Sequence, residues 1–424
     1  MRLFITPADV WLFRGGLPFG EDATIKSDFP PTPETMQGAI RALIAAQWSG
    51  NMREAFDERF QQGALKRFIG DNNLVNGKPN YGRFRLHGYS LGMRNSAGNV
   101  EQLYPLPAHF VASKHDEGAG THTVFLPSPK LEDQLPYYPA GMHSLNKQRN
   151  VQLTSEETGS EVSWVTRDSL RTLLGIIAEE DSQQAQRKPS IEVHGYSNGD
   201  LFSYEPRPGI GMERASRTTR EGIFFQTHMV RPRSSATCQV GLVVDIHLAP
   251  NEDLKTCSSA CAYRVTDPAL AELKLPDRGW MTIGGERRPA MYEVIGDGDT
   301  PESPTTVQTN SGRTLLYFAT PAYFTQGWLP GKKGEDGKVT PEWERVFGVV
   351  PVAAAIPRAQ LIGGWRLEPG KAGGNAQSNA KSLRRYVPAG SVFFFDKPVS
   401  ERGPYTENGF GREIGFGLTI QGAW

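Results

Sequence analysis

Glycine and proline interrupt this chain too often for long helices to dominate it: 46 glycines and 31 prolines stand among 424 residues. Together they make about 18% of the chain, where about 12% is usual. Glycine inside a helix or strand costs roughly 0.5–1 kcal/mol against alanine, and proline inside a helix roughly 3 kcal/mol. The punctuation therefore favours short strands and many turns over a helix bundle. Hydrophobic residues make up 38% before glycine is counted, enough for a buried core and against wholesale disorder. At roughly 150 residues per domain, the length predicts two or three domains.

Lysine and arginine number 46, aspartate and glutamate 46, so the formal net charge is zero. That argues against a generic nucleic-acid coat and leaves local basic surfaces as the way to hold an anionic partner. Cys257 and Cys261 form a lone C-x3-C and Cys238 stands apart. An odd, sparse set reads as a reducing compartment, with no disulfide scaffold and no zinc site. The opening MRLFITPADVWLFRGG carries Pro7, Asp9 and Arg14 where a signal peptide needs an unbroken apolar stretch. The most apolar run, GVVPVAAAIP at 348–357, falls far short of the ~20 residues of a membrane span. The expectation is a soluble cytoplasmic protein that engages no membrane.

The clearest helix begins at Pro33. Thr32 can cap it, Pro33 suits its first position, and Glu34 complements the helix dipole. Met36, Ile40, Leu43, Ile44 and Gln47 share one face, and small residues keep the helix thin enough to lie close on a sheet. Arg41 falls off that apolar face and is expected to be free to point at a ligand. A second helical stretch runs over 53–70 and stops at Gly70; a third over 167–180 carries Leu170, Leu173, Leu174 and Ile177 behind Thr166. Thr266-Asp267-Pro268 opens a short helix. Strands are expected at 2–13, broken near Pro7, at 239–248, at 313–324 and at 389–396. The segments 113–123, 296–310 and 369–382 read as loops. Strands and helices alternate without the regular beat of a doubly wound sheet, which predicts α+β.

Three patterns can carry chemistry. ENGFGREIGFGLTIQGAW near the C-terminus holds Gly409, Gly411, Gly415, Gly417 and Gly422, with neither P-loop nor dinucleotide spacing. It is either a tight turn feeding a last strand or a backbone that lies close to another chain, with Arg412 suited to a phosphate. Basic clusters form the second pattern: Arg207, Arg214, Arg217, Arg220, Arg231 and Arg233 with Phe224, Phe225 and His228 among them, then Arg287 and Arg288, then Lys381, Arg384, Arg385 and Tyr386. Arginine forks match phosphates and aromatics stack on unpaired bases, so three such clusters suggest one basic groove. The third is Glu21, Asp22 and Asp28 ahead of the first helix, carboxylates that are turn residues or Mg²⁺ ligands. The eight histidines form no metal-ligand spacing.

FITPADVWLFRGGLPF and FPPTPETMQGAIRALIAAQ resemble the opening of the third subunit of the type III-B CRISPR effector, the Cmr complex, of the RAMP superfamily. The resemblance continues in order through YPLPAHFV at 104–111, RPGIGMERASRTTREGIFFQTHMVR at 207–231, WMTIGGERRPAMYEV at 280–294, AQLIGGWRLEPG at 359–370, VPAGSVFFF and GFGREIGFG. It implies two ferredoxin-like (RRM-like) modules with long loop insertions, the RAMP fold, expected at 1–235 and 236–424. It also implies a subunit without catalysis or cofactor, which grips the 5′ tag of the guide RNA and has the large polymerase/cyclase-type subunit and the backbone subunits as partners, in antiviral defence. Phosphate contacts would then come from Arg14, Arg41, Arg214, Arg217, Arg220, Arg287, Arg288, Arg384, Arg385 and Arg412. Gly409, Gly411, Gly415 and Gly417 would be the superfamily's glycine loop. Relatives that process guide RNA often place a histidine near that loop; here the nearest in sequence is His247. The alternative implied is a Mg²⁺-dependent endoribonuclease using Asp22 and Asp28, because a related backbone subunit cuts RNA with an Asp after its first strand.

Overall fold

The computed structural model describes residues 1–15, 24–49, 69–75, 78–112, 121–127, 142–153, 162–175, 190–191, 193–213, 215–235, 237–249, 275–296, 312–368, 377–399 and 403–424. Its centre is an eight-stranded sheet. The strands that build it are β1 (Arg2–Pro7), β3 (Phe84–Asn95), β4 (Val100–Pro105), β5 (Trp164–Thr166), β6 (Gly195–Tyr196), β9 (Cys238–Leu248), β10 (Arg278–Ile283) and β11 (Arg288–Gly296). They lie in the order β6-β5-β4-β3-β9-β1-β11-β10, and every neighbouring pair is antiparallel. The sheet takes strands from both sides of residue 235. Phe4 faces Val243 on one side and Glu293 on the other, so the first strand sits between partners some 240 and 290 residues away.

Helix α1 (Pro33–Ser49) covers one face of this sheet. Its sequence signals act as expected: the Thr32 hydroxyl accepts from the Thr35 backbone N–H at 3.3 Å, and Met36, Ile40, Leu43 and Ile44 are buried against Leu3, Ile5, Val244, Met281 and Tyr292. Gln47 is exposed, as its polarity requires. Arg41 is not free: it is half-buried, donates to Gln37 at 3.3 Å and lies over the Tyr81 ring at 5.7 Å. Helix α2 (Arg167–Gly175) is capped by Thr166 and buries Leu170, Leu173 and Leu174; Ile177 lies outside the described residues. So do the 53–68 part of the second helix, the Thr266 helix and the 297–310 part of the 296–310 loop.

A four-stranded sheet forms the second centre, from β12 (Thr314–Phe318), β13 (Ala353–Ala355), β16 (Val392–Phe395) and β17 (Thr419–Ala423), with the short helix α3 (Trp343–Phe347) after its first strand. Its order is β13-β16-β12-β17, all antiparallel. Counted along the chain, that is second-third-first-fourth. The middle of the large sheet, β3-β9-β1-β11, has the same order, with α1 in the same place after its first strand. Aromatic rings fill this second core: Phe318, Phe324, Phe347, Phe393 and Phe395 are buried together.

Smaller sheets hang from these two. β2 (Thr24–Lys26) joins the long hairpin of β7 (Phe202–Met212) and β8 (Thr219–Pro232). Another sheet spans strands at 110–112, 121–127, 145–153 and 190–191, and buries His122. β14 (Gln360–Ile362) pairs with β15 (Arg384–Tyr386), and Trp365–Glu368 pairs with Gln377–Ala380. That last pairing corrects the expected loop at 369–382: its second half is a strand, because a partner 12 residues upstream supplies the ladder that its polar side chains do not announce. The fold is α+β with mostly antiparallel sheets. No helix among the described residues is long and apolar enough to cross a membrane.

Candidate nucleic-acid interface

The expected arginines gather in two corners and at one hairpin tip. The first corner is built by the chain beyond β1 and the turn between β10 and β11. Arg14 bridges to Ser27, and its side-chain carbons lie where a Cβ on Gly285 would come within 3.3–3.4 Å. Burial pulls the Arg14 guanidinium below its ordinary value, and the Glu286 charge pulls it back. Glu286 and Arg287 both adopt left-handed backbone, φ 58° and 49°, which turns the exposed Arg287 side chain outward. Arg288 is spent locally, on Glu286 at 2.7 Å. Asp28 belongs to this corner, its carboxyl 2.8 Å from where a Gly15 Cβ would sit. Half-burial raises its pKa, which disfavours the charged form a metal ligand needs. Asp22 lies outside the described residues, and among the described residues no three His, Cys, Asp or Glu side chains gather as for a metal ion.

The second corner is aromatic as well as basic. The Arg384 guanidinium lies over the rings of Tyr323 at 5.0 Å and Phe410 at 4.9 Å, while its backbone is held in the β14–β15 ribbon. Tyr386 and Phe416 stack behind them at 5.2 Å, and Tyr81 packs on the same cluster. Burial raises the Tyr81 and Tyr386 hydroxyls, with the Glu34 charge adding to the shift. Lys381 is tied to Glu34 of α1 at 3.0 Å. Arg385 and Arg412 form no ion pair among the described residues; Arg385 is exposed and Arg412 half-exposed. Cations laid on aromatic faces are what an unpaired base or a phosphate needs. Tyr81, Tyr323 and Phe410 were not foreseen from sequence; Phe410, set between glycines, carried the one signal that could have marked it.

The glycine loop itself serves the fold. Gly409, Gly411, Gly415 and Gly417 all have positive φ, from 65° to 91°. They allow close approach within this chain: a Cβ on Gly415 would sit 3.0 Å from the Leu86 carbonyl oxygen, and one on Gly417 2.3 Å from that of Tyr405. Gly411 is closed off by the Phe416 ring. The loop lies in two short 3-10 turns, Glu407–Gly409 and Arg412–Ile414, and runs into β17, the tight-turn reading of the sequence. It is fastened by Glu407, whose side chain is 2% exposed and accepts from Arg345 at 2.7 Å and from the Thr325 backbone N–H at 2.5 Å. The His87 and His247 rings, 4.9 Å apart, sit on neighbouring strands of the large sheet.

The arginine-rich stretch from 207 is less basic than its sequence suggests. Arg207 and Arg231 share Asp9 and Glu205 in a four-member network at 2.5–2.8 Å, so two of its cations are neutralised by acids outside the cluster. Arg217 stands exposed at the tip of the β7–β8 hairpin with φ 56°. Ile210, Met212 and Phe224 are each about half exposed on that hairpin. Arg214 and the Arg220 side chain lie outside the described residues.

Residues 3–424 match the protein family described as CRISPR-associated protein (Cas_Cmr3). The chain belongs to that family. As a member it is a subunit of a type III-B CRISPR effector. Two solved chains are similar to it at 14% identity and a TM-score of 0.40, each match covering 93% of this chain and 86% of the other. They come from cryo-EM structures of the Type III-B Cmr-beta bound to cognate target RNA, one of them also with AMPPnP. No curated protein matches the chain.

Proposed function

We propose that this chain is a non-catalytic, RNA-binding subunit of its effector. It holds the 5′ tag of the guide RNA and bridges that end to the large polymerase/cyclase-type subunit, beside the backbone subunits. The observation that carries the reading is Arg384 laid across Tyr323 and Phe410; Arg385 follows it in the strand and Arg412 follows Phe410 in the loop, neither in an ion pair among the described residues. Such a corner suits what a single strand offers, flat bases and phosphates. The two matching sheet orders support two ferredoxin-like modules of the RAMP kind. In that reading β9 and β11, which follow residue 235, belong with the first module's sheet.

The test is guide-RNA retention by the assembled effector carrying Arg384→Ala with Arg385→Ala. Crosslinking of the guide to this subunit falls, and the salt dependence of binding becomes shallower by about 0.7 in log–log slope for each phosphate no longer neutralised. Unchanged crosslinking and slope would sink the assignment. The nuclease alternative is decided by labelled RNA with Mg²⁺ or EDTA: cleavage that needs metal and disappears in Asp22→Ala and Asp28→Ala would replace the non-catalytic reading.

A further inference from the structure

The hairpin of β10 and β11 closes one edge of the large sheet, and its two faces differ sharply. Side chains alternate across a strand. Met281, Ile283, Ala290 and Tyr292 point toward α1 and are buried with it. Trp280 and Met291 are cross-strand partners on the opposite face. There Trp280 is 64% exposed and Met291 36% exposed. The open indole and the thioether beside it give this face a flat apolar surface next to exposed cations.

Arg278 is two residues from Trp280 along the same strand, about 6.6–6.8 Å away, with its side chain 74% exposed and only a loose 3.9 Å approach to Glu293. Glu293 is already engaged by Arg94 at 3.0 Å, and Arg94 lies over Phe4 on this face at 4.5 Å. At the other end of the hairpin, Arg287 is exposed and forms no ion pair among the described residues. One indole and one thioether between cations is too little apolar surface for a protein interface of ~1,200 Å² or more. It is the size of one base with a phosphate on each side.

We propose that the open face of this hairpin is a stacking platform for an unpaired base of single-stranded RNA, with Trp280 as the platform and Arg278 and Arg287 as phosphate contacts at its two ends. The proposal rests on the RNA-binding reading above and places a second contact outside the Arg384 corner. Both arginines bind backbone, so the platform tolerates any base and reads strandedness.

The experiment uses the assembled effector loaded with guide RNA carrying 4-thiouridine. Trypsin cuts after Arg278 and Arg287, so Trp280 is released in the peptide 279–287. A crosslink on that peptide is expected. The full chain's affinity for a labelled single-stranded oligoribonucleotide is expected to weaken about 5- to 100-fold in Trp280→Ala, with Trp280→Phe restoring most of it. If other peptides of this subunit crosslink but 279–287 does not, and Trp280→Ala binds normally, the platform is refuted while the RNA reading stands. If Trp280→Ala instead releases a neighbouring subunit with its RNA crosslinks intact, the face is a protein contact and the proposal falls. If no peptide of the unmodified subunit crosslinks to RNA, the RNA-binding reading itself falls, and the platform with it.

Discussion

The carbonyl oxygens of Leu86 and Tyr405 stand 3.0 and 2.3 Å from where Cβ atoms on Gly415 and Gly417 would sit. Gly417→Val puts a branched Cβ 2.3 Å from the Tyr405 oxygen at φ 72°, and is expected to destabilise the chain by at least about 2 kcal/mol, read by thermal or urea unfolding. A variant as stable as the parent would mean that the loop is slack. Glu407→Ala removes the acceptor of the Arg345 and Thr325 bonds from a buried site, at about 2–3 kcal/mol. Acid acts through other residues. Burial holds the His109 and His247 imidazoles down at about 3, with His87 beside His247 adding to the shift. Their folded values lie below the unfolded value near 6.5, so the unfolded chain binds protons that the fold refuses. Stability is therefore full above about pH 6.5 and falls as pH drops toward 3, by up to about 1.4 kcal/mol per pH unit for each such histidine. Urea midpoints near pH 7.5 and pH 5 measure the slope. His109→Phe, which keeps the packing on Phe110 and Phe394, makes it shallower; an unchanged slope would show that His109 is not among the groups responsible.

Elements were legible where their signals are local. The cap and the apolar stripe of α1 read correctly because the cap bond spans three residues and the stripe repeats every three or four; Thr32→Ala should cost about 1 kcal/mol by the same logic. Arg41 did not, because what engages it includes the Tyr81 ring from another element. Nor did the strand at Gln377–Ala380, whose composition is that of a linker and whose order comes from Trp365–Glu368. The β7–β8 hairpin shows the same split: its exposed tip was visible as a basic run, whereas Asp9 and Glu205, which neutralise Arg207 and Arg231, were not. The tip is thus where charge remains to act. Arg217→Ala with Arg220→Ala is expected to weaken RNA binding and to lower the salt slope by about 0.7 for each phosphate freed, measured by anisotropy across a salt series. Binding and slope equal to the parent's would remove the tip from the interface.

At the scale of the whole molecule, composition announced α+β correctly, but the sheet orders were beyond it, since pairing across hundreds of residues leaves no local trace. The two sheets are also joined to each other. Tyr317 donates to the Pro105 carbonyl at 2.7 Å, Gly415 abuts Leu86, Gly422 abuts Leu174 and Lys381 reaches Glu34. A chain cut between 297 and 311 and expressed as two pieces together is therefore expected to copurify as one particle; pieces that stay apart would show that these contacts do not hold the halves. The placement of β1 carries a consequence for biosynthesis. Arg2 meets Asp245 across 243 residues, and the strand's other partner comes later still. At roughly 5–20 residues per second, a ribosome takes roughly ten to fifty seconds to deliver even the first of those partners. For that time the apolar segment Leu3–Ile5, and the helix that must lie on it, emerge with nothing to pair with. A nascent chain of this kind depends on whatever shields it during translation far more than its finished stability suggests.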